Sequence, residues 1–219
     1  EAMLDGVTSA GPADIRSLHE EMLRLGRMID DLQKLAAAEA AALQLTLVRC
    51  DLADEAEAAA SGLSSVFRSA GVSLELRLAP APARCDELRM QDVIRNLLTN
   101  AAKYTPAGGT VILETSAAGN HALVRVVDTG IGIPADELPR VTERFYRGRR
   151  AQSTGGSGIG LAVVDELVRA QRGALQIVSE PGHGTQVAIM LPAPDREDVP
   201  VPADHDRPRS MTSASPHLR

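Results

Sequence analysis

Apolar residues recur at Ile15, Leu18, Met22, Leu25, Ile29, Leu32, Ala36 and Leu43, a three-four spacing broken only at Glu39. This predicts one long helix over 13–43. So narrow a seam suits a coiled coil or helix bundle, the alternative being an amphipathic helix lying on its own domain. The pattern then shortens. "LQLTLVRC" (43–50) reads as a strand, and 51–70 as a helix with Asp51 as N-cap and Gly71 as its stop. "VSLELRL" (72–78) alternates like a half-buried strand, and "APAPA" (79–83) reads as a linker.

Asp86 can cap the next helix, which Pro106 and Gly108-Gly109 stop. "TVILETS" and "ALVRVVD" flank "AAGNH" (117–121) as a hairpin. A glycine-rich stretch runs from 128 to 160 with a helical turn near 135–141. "IGLAVVDELVRAQ" (159–171) is an amphipathic helix, and "ALQIVSE" and "TQVAIML" flank "PGHG" as a last hairpin. The sum is an α/β (α+β) two-layer sandwich, a mixed sheet with three helices on one face, preceded by a long dimerisation helix. The expected division is 1–44 as a partial helical hairpin, 45–192 as the α/β domain and 193–219 as a disordered, proline-rich tail.

Composition narrows the function. The 219 residues are 44% hydrophobic and 24% charged, as in a globular chain with a sizeable core. No apolar run approaches the roughly 20 residues that span a bilayer, and no signal peptide opens the chain. "EAMLDGV" reads like the end of a helix, so a fragment is expected. A net charge of −6 argues against a nucleic-acid partner. Cys50 and Cys85 have no metal-binding spacing, so reduced thiols in a cytosolic compartment are the expectation. Lys34 and Lys103 are the lysines of a chain otherwise served by arginine.

Three motifs carry candidate chemistry. In "NLLTNAAKYTP" (96–106), Asn96 and Asn100 are poor helix formers on a helix with an apolar side. Asp92, Asn96, Asn100 and Lys103 fall within roughly 80° of one another around the helix. The bland reading is a solvated face, although such faces usually use Glu, Lys and Arg. The chemical reading is that asparagine carbonyls ligate Mg²⁺ and Lys103 offsets phosphate charge. In "VRVVDTGIGIP" (124–134), an apolar strand side ends in Asp128, and Gly130 and Gly132 let the backbone approach a ligand. The carboxylate could accept from an adenine amino group, or simply close the strand as an Asx turn. "TGGSGIGLAVV" (154–164) has neither a Walker lysine nor full GxGxxG spacing, yet it sets glycines before a helix N-terminus, where phosphate is favoured. "GRRAQSTGG" (148–156) before it is polar, as a lid over a nucleotide would be.

In this order the motifs resemble those of the ATP-binding catalytic domain of bacterial sensor histidine kinases, within the GHKL superfamily. "NLLTNAAKYTP" matches the asparagine box, "DTGIGIP" and "GGSGIGLAVV" the glycine boxes, "ERFYRG" the phenylalanine box and "GHGT" the last box. The resemblance runs from about 13 to 191. It implies that Asn100 holds Mg²⁺ with Asn96 beside it, that Lys103 and Arg147 meet phosphate, and that Tyr104 packs by the adenine. It implies that Asp128 accepts from the adenine amino group, with Gly130 and Gly132 shaping that pocket and Thr185 supporting it. Gly156, Gly158 and Gly160 are the implied lid hinge and phosphate end. A general-base role is a further candidate for Asp92.

The same resemblance implies a homodimer through helix 13–43 and transfer of the γ-phosphoryl of Mg·ATP to a histidine, then to an aspartate of a response-regulator receiver domain. It also implies a cytoplasmic location, with membrane contact only through segments outside this chain. Two positions depart from the pattern. Thr142 opens the phenylalanine box where an aromatic is usual, and the phosphoacceptor helix is not recognisable. "LHEEM" imitates the acceptor motif at His19, but no Thr-Pro or Ser-Pro follows, so a solvated histidine beside the seam is the competing reading. The alternatives from other classes are an ATP-binding dimerisation or sensor module without an acceptor, and an anti-sigma-type serine kinase.

Overall fold

The computed structural model describes residues 44–149 and 157–194, with 11, 15–19, 21, 22, 26 and 33 of the N-terminal segment. Residues 15–19, 21, 22, 26 and 33 are helical, and Ile15, Leu18 and Met22 of the seam are exposed. The rest of the expected helix 13–43, the loop 150–156 that includes Gly156, and the expected tail from 195 onward lie outside the described residues.

The domain is built from a small sheet of β1 (Val48–Asp51) and β3 (Pro82–Cys85) and a mixed five-stranded sheet. The larger sheet contains β2 (Ser73–Leu78), β4 (Thr110–Ala118), β5 (His121–Asp128), β6 (Ala174–Glu180) and β7 (Gly184–Pro192), in the order β2-β4-β5-β7-β6. Only the β2-β4 pair is parallel. The helices are α1 (Leu52–Ser61), α2 (Ser64–Ala70), α3 (Glu87–Tyr104) and α4 (Gly160–Ala170). Both expected hairpins form, as β4-β5 and β6-β7.

Strand alternation sets the core. Val111, Leu113, Val124, Val126, Val187, Ile189 and Leu191 are buried on one face of the sheet. Against them pack Val93, Ile94, Leu97 and Leu98 of α3 and Val164, Leu167 and Val168 of α4. At the opposite sheet face Arg77 and Arg125 both pair with Glu114, at 3.3 and 2.9 Å.

Four expectations need correction. The single helix over 51–70 is two: α1 ends at Gly62, and α2 restarts after Leu63, whose side chain is buried. The "linker" contains β3, where Ala83 and Cys85 are buried and Pro82 stands first, a place that tolerates a missing N–H. Its partner β1 is correspondingly short, beginning at Val48 rather than 43. The two cysteines are not separate thiols. The β1-β3 pairing brings Cys50 and Cys85 to a Cα–Cα distance of 6.4 Å and they form a disulfide.

Caps place the helices as expected, and then do more. Asp51 accepts from the Ala53 N–H (3.0 Å) and also from Ala81 (2.8 Å), tying α1 to the start of β3. Asp86 caps α3 through the Arg89 N–H (3.1 Å) and accepts from Thr46 (3.0 Å). The Asp86 N–H donates to the buried Gln171 side chain at the end of α4 (2.8 Å). The start of α3 and the end of α4 are therefore one hydrogen-bonded node. Between α1 and α3, Gln91 donates to the buried Glu55 (2.7 Å), and burial pushes the Glu55 carboxyl above its ordinary value. No helix among the described residues is long and apolar enough to cross a membrane.

Replacing a helix-capping aspartate by alanine costs about 0.5–2 kcal/mol. Asp86→Ala, which also releases Thr46, is expected at the upper end of that range in urea unfolding. An unchanged midpoint would show that the node does not hold α3.

Candidate functional site

The site grows from the two sides of α3. Its apolar side is in the core, and Asp92, Asn96, Asn100 and Lys103 run along the side that lines a cavity of about 820 Å³. The helix ends as Thr105 turns extended before Pro106. Asn96 donates its amide nitrogen back to the Asp92 carbonyl (3.0 Å), which leaves its Oδ1 as acceptor. A Cβ on Gly160 would lie 3.6 Å from Asn96 Oδ1 and 3.8 Å from Asn100 Oδ1. Both amides thus converge on the first turn of α4, whose N-terminus has no side-chain cap. Free N–H groups and the helix dipole favour an anion there.

At the far end of the cavity stands Asp128, 9% exposed. Its Oδ1 accepts from the Gly130 N–H (2.8 Å) and the Thr185 N–H (3.2 Å). Thr185 therefore supports it through the main chain, while the Thr185 hydroxyl meets Ser179 (2.9 Å). Burial pushes the Asp128 carboxyl above the ordinary aspartate value, against the lowering effect of those two N–H groups. A Cβ on Gly130 would come within 2.6 Å of both Asp128 Oδ1 and the Tyr104 carbonyl, so only glycine lets the loop fold this closely onto α3. Gly132 adopts φ 65°, a left-handed conformation.

Apolar side chains fill the walls around Asp128: Val126, Ile131, Ile133 and Val187 line the cavity there, with Leu97 and Leu167 from the helices. Sequence reading had not assigned the isoleucines. Their signal was present in "GIGI", where each follows a glycine that brings it to the ligand side. Tyr104 lines the same cavity, and Lys103 lies over its ring at 4.7 Å.

Of the expected residues, Asp92, Asn96, Asn100, Lys103, Tyr104, Asp128, Gly132, Arg147, Gly158, Gly160 and Thr185 all line this one cavity. Gly130 stands just behind it, holding Asp128. Arg89, Arg95, Glu137 and Tyr146 also line it and were not anticipated. Asp92 meets Arg95 through one oxygen (2.8 Å) and Arg89 through the other (3.4 Å), so a base role would require a guanidinium to release it. In the phenylalanine box, Phe145 is 54% exposed at φ 66°, and Tyr146 stacks under Arg140 at 4.4 Å.

An α/β sandwich with a polar helix side, a buried aspartate and a glycine-framed helix N-terminus around one cavity defines a nucleotide-binding class of domain. The sequence profile of the histidine kinase-, DNA gyrase B- and HSP90-like ATPases matches residues 85–195. The chain is 33% identical to the signal transduction histidine-protein kinase BaeS of Escherichia coli over 88% of its length. It is 36% identical to the phosphate regulon sensor protein PhoR of Pseudomonas aeruginosa over 84%. It spans only 42% and 43% of the lengths of those two relatives. Among solved structures, a mycobacterial sensor histidine kinase, MprB, superposes with a TM-score of 0.59 at 30% identity, covering 67% of this chain and 97% of that one. Full-length ShkA in complex with AMPPNP superposes with a TM-score of 0.67 at 28% identity, covering 84% of this chain and 39% of ShkA. The chain belongs to the histidine kinase-, DNA gyrase B- and HSP90-like ATPase family, as a sensor histidine kinase catalytic domain.

The raised Asp128 carboxyl makes a testable pH signature. Unfolded, the residue ionises near its ordinary 3.8; folded, it ionises at higher pH. Its stability contribution is thus full below 3.8 and is lost as pH rises through the folded value. Glu55 acts in the same sense. Asp128→Asn should therefore be more stable than the parent near neutral pH in urea unfolding, with the gap closing below pH 3.8. A constant gap at all pH values would contradict this.

Proposed function

We propose that this chain is the ATP-binding catalytic region of a two-component sensor histidine kinase. The intact protein transfers the γ-phosphoryl of Mg·ATP to a histidine, and from there it passes to a response-regulator aspartate. The observation that carries the reading is the convergence of Asn96, Asn100 and Lys103 with Asp128 and the N-terminus of α4 around one cavity. Adenine fits the apolar end, where Asp128 accepts its amino group and Tyr104 packs beside it. The triphosphate then runs along α3 toward Gly158 and Gly160, where Lys103, Arg147 and the first turn of α4 supply opposing charge.

The donor set fits Mg²⁺. It offers the neutral side-chain amides of Asn96 and Asn100 side by side at Gly160, and no cluster of three His, Cys, Asp or Glu among the described residues competes for a softer metal. A hard cation with so few protein ligands completes its shell with phosphate oxygens and water. When bound, it would neutralise phosphate charge. The protein groups hold the nucleotide in one orientation, which is most of what phosphoryl transfer asks of them. Asp92 is assigned as the anchor of Arg89 and Arg95.

The exposed seam side chains Ile15, Leu18 and Met22 support a homodimer through helix 13–43. His19, also exposed on that helix, lacks the motif context of an acceptor, so the acceptor is assigned outside this chain. The likeness to sensor histidine kinases is what supports a location on the cytoplasmic side of a membrane-anchored protein, since the Cys50–Cys85 disulfide by itself points to an oxidising compartment. ShkA in complex with AMPPNP lends the nucleotide reading a structural parallel.

Two substitutions test the site. Asn100→Ala and Asp128→Asn should each weaken Mg·ATP binding, measured by titration calorimetry, about tenfold or more, equivalent to about 1.4 kcal/mol. Unchanged affinity in both would remove the assignment.

A further inference from the structure

Glu137 is 4% exposed and lines the cavity, yet nothing so far gives it a task. It sits in the turn after Pro134, to whose carbonyl its N–H donates (2.9 Å). Its Oε1 accepts from both the Arg149 main-chain N–H (3.3 Å) and Arg149 Nε (2.9 Å). Asp136 takes the other end of the same guanidinium at 2.7 Å. Glu137 Oε2 occupies the space that a Cβ on Gly148 would need, so the chain at 148 can approach only as glycine.

These contacts make poor sense as a stability device. A deeply buried carboxylate is costly unless bonded. Its ionic partner Arg149 has a side chain 71% exposed, and ion pairs reaching that far into water contribute little. What the arrangement does achieve is position. Glu137 pins the chain at 148–149, and the Phe145 N–H donates to the Gly158 carbonyl (3.1 Å) at the other end of the stretch. Between the two anchors, Tyr146, Arg147 and Gly148 line the cavity.

We propose that Glu137 is a positioning residue for the phosphate end of the site: it fixes the main chain at Gly148 and Arg149 and so holds Arg147 toward the nucleotide. The proposal rests on the Mg·ATP reading above. Holding a flexible arginine in its binding conformation before the ligand arrives removes an ordering cost that binding would otherwise bear. The benefit should appear only for ligands that carry phosphates.

The test compares Mg·ATP and adenosine on the whole chain, by calorimetry for the first and NMR titration for the second. Glu137→Ala should weaken ATP about tenfold and change adenosine by no more than about twofold. Glu137→Gln keeps an oxygen for the Arg149 N–H and should recover most of the loss. Gly148→Ala, which displaces the carboxylate from the other side, should reproduce the alanine result and serves if Glu137→Ala does not fold. Unchanged ATP affinity, or equal losses for ATP and adenosine, overturns the proposal. Asn100→Ala measured alongside separates the two ideas. If it too leaves ATP untouched, the nucleotide site itself is misplaced; if it alone weakens ATP, only the role of Glu137 fails.

Discussion

Asp128 follows Val124 and Val126 on the buried face of β5, and a carboxylate in that row has to be bonded to remain there. Two main-chain N–H groups meet that need, one from the glycine loop at Gly130 and one from β7 at Thr185. Each fixes something larger. The bond to Gly130 turns the chain back onto the end of α3, where the Ile131 N–H reaches the Tyr104 carbonyl at 3.1 Å. The bond to Thr185 sets the start of the last strand beside the loop. Both donors meet Oδ1, and the second oxygen takes none from the described residues. Burial of the carboxylate thus costs stability and leaves an acceptor at the apolar end of the cavity.

From that fixed point the rest of the site follows along α3. One side of the helix is locked into the core by Val93, Ile94, Leu97 and Leu98, so its other side has no freedom of rotation. Asn96 and Asn100 therefore stand beside the first turn of α4, while Lys103, at the last turn of α3, lies over the Tyr104 ring. The Asp86–Gln171 hydrogen bond joins the two helices at their other ends.

Much of this was legible in the chain itself, because the informative residues break local rules. Asparagines in a helix and an aspartate closing an apolar strand are each unfavourable unless they have partners, so they draw attention. The mixed sheet and both hairpins were equally plain from alternation and turn residues. Residues that obey local rules stayed hidden. Glu137 in a polar turn looks like any solvated charge, and only the fold shows it buried. "APAPA" looks like a linker because proline and alanine carry little strand signal, while burial of Ala83 and Cys85 depends on contacts made by β1. The disulfide joins residues 35 apart and became visible only through that pairing. The break between α1 and α2 did have a local marker, Gly62, which the expectation of one helix over 51–70 passed over; the burial of Leu63 just after it is what the sequence did not show.

The central claim is that Asp128 reads the exocyclic amino group of adenine. Inosine triphosphate has the same triphosphate and sugar but a carbonyl where adenosine carries that amino group. At a pH where Asp128 is ionised, the carbonyl offers no donor and places two acceptors face to face. Competition between Mg·ATP and Mg·ITP for the domain should favour ATP by a hundredfold or so, about 2.7 kcal/mol, as expected when a buried polar group is left unpaired. Equal binding of the two nucleotides would contradict the account.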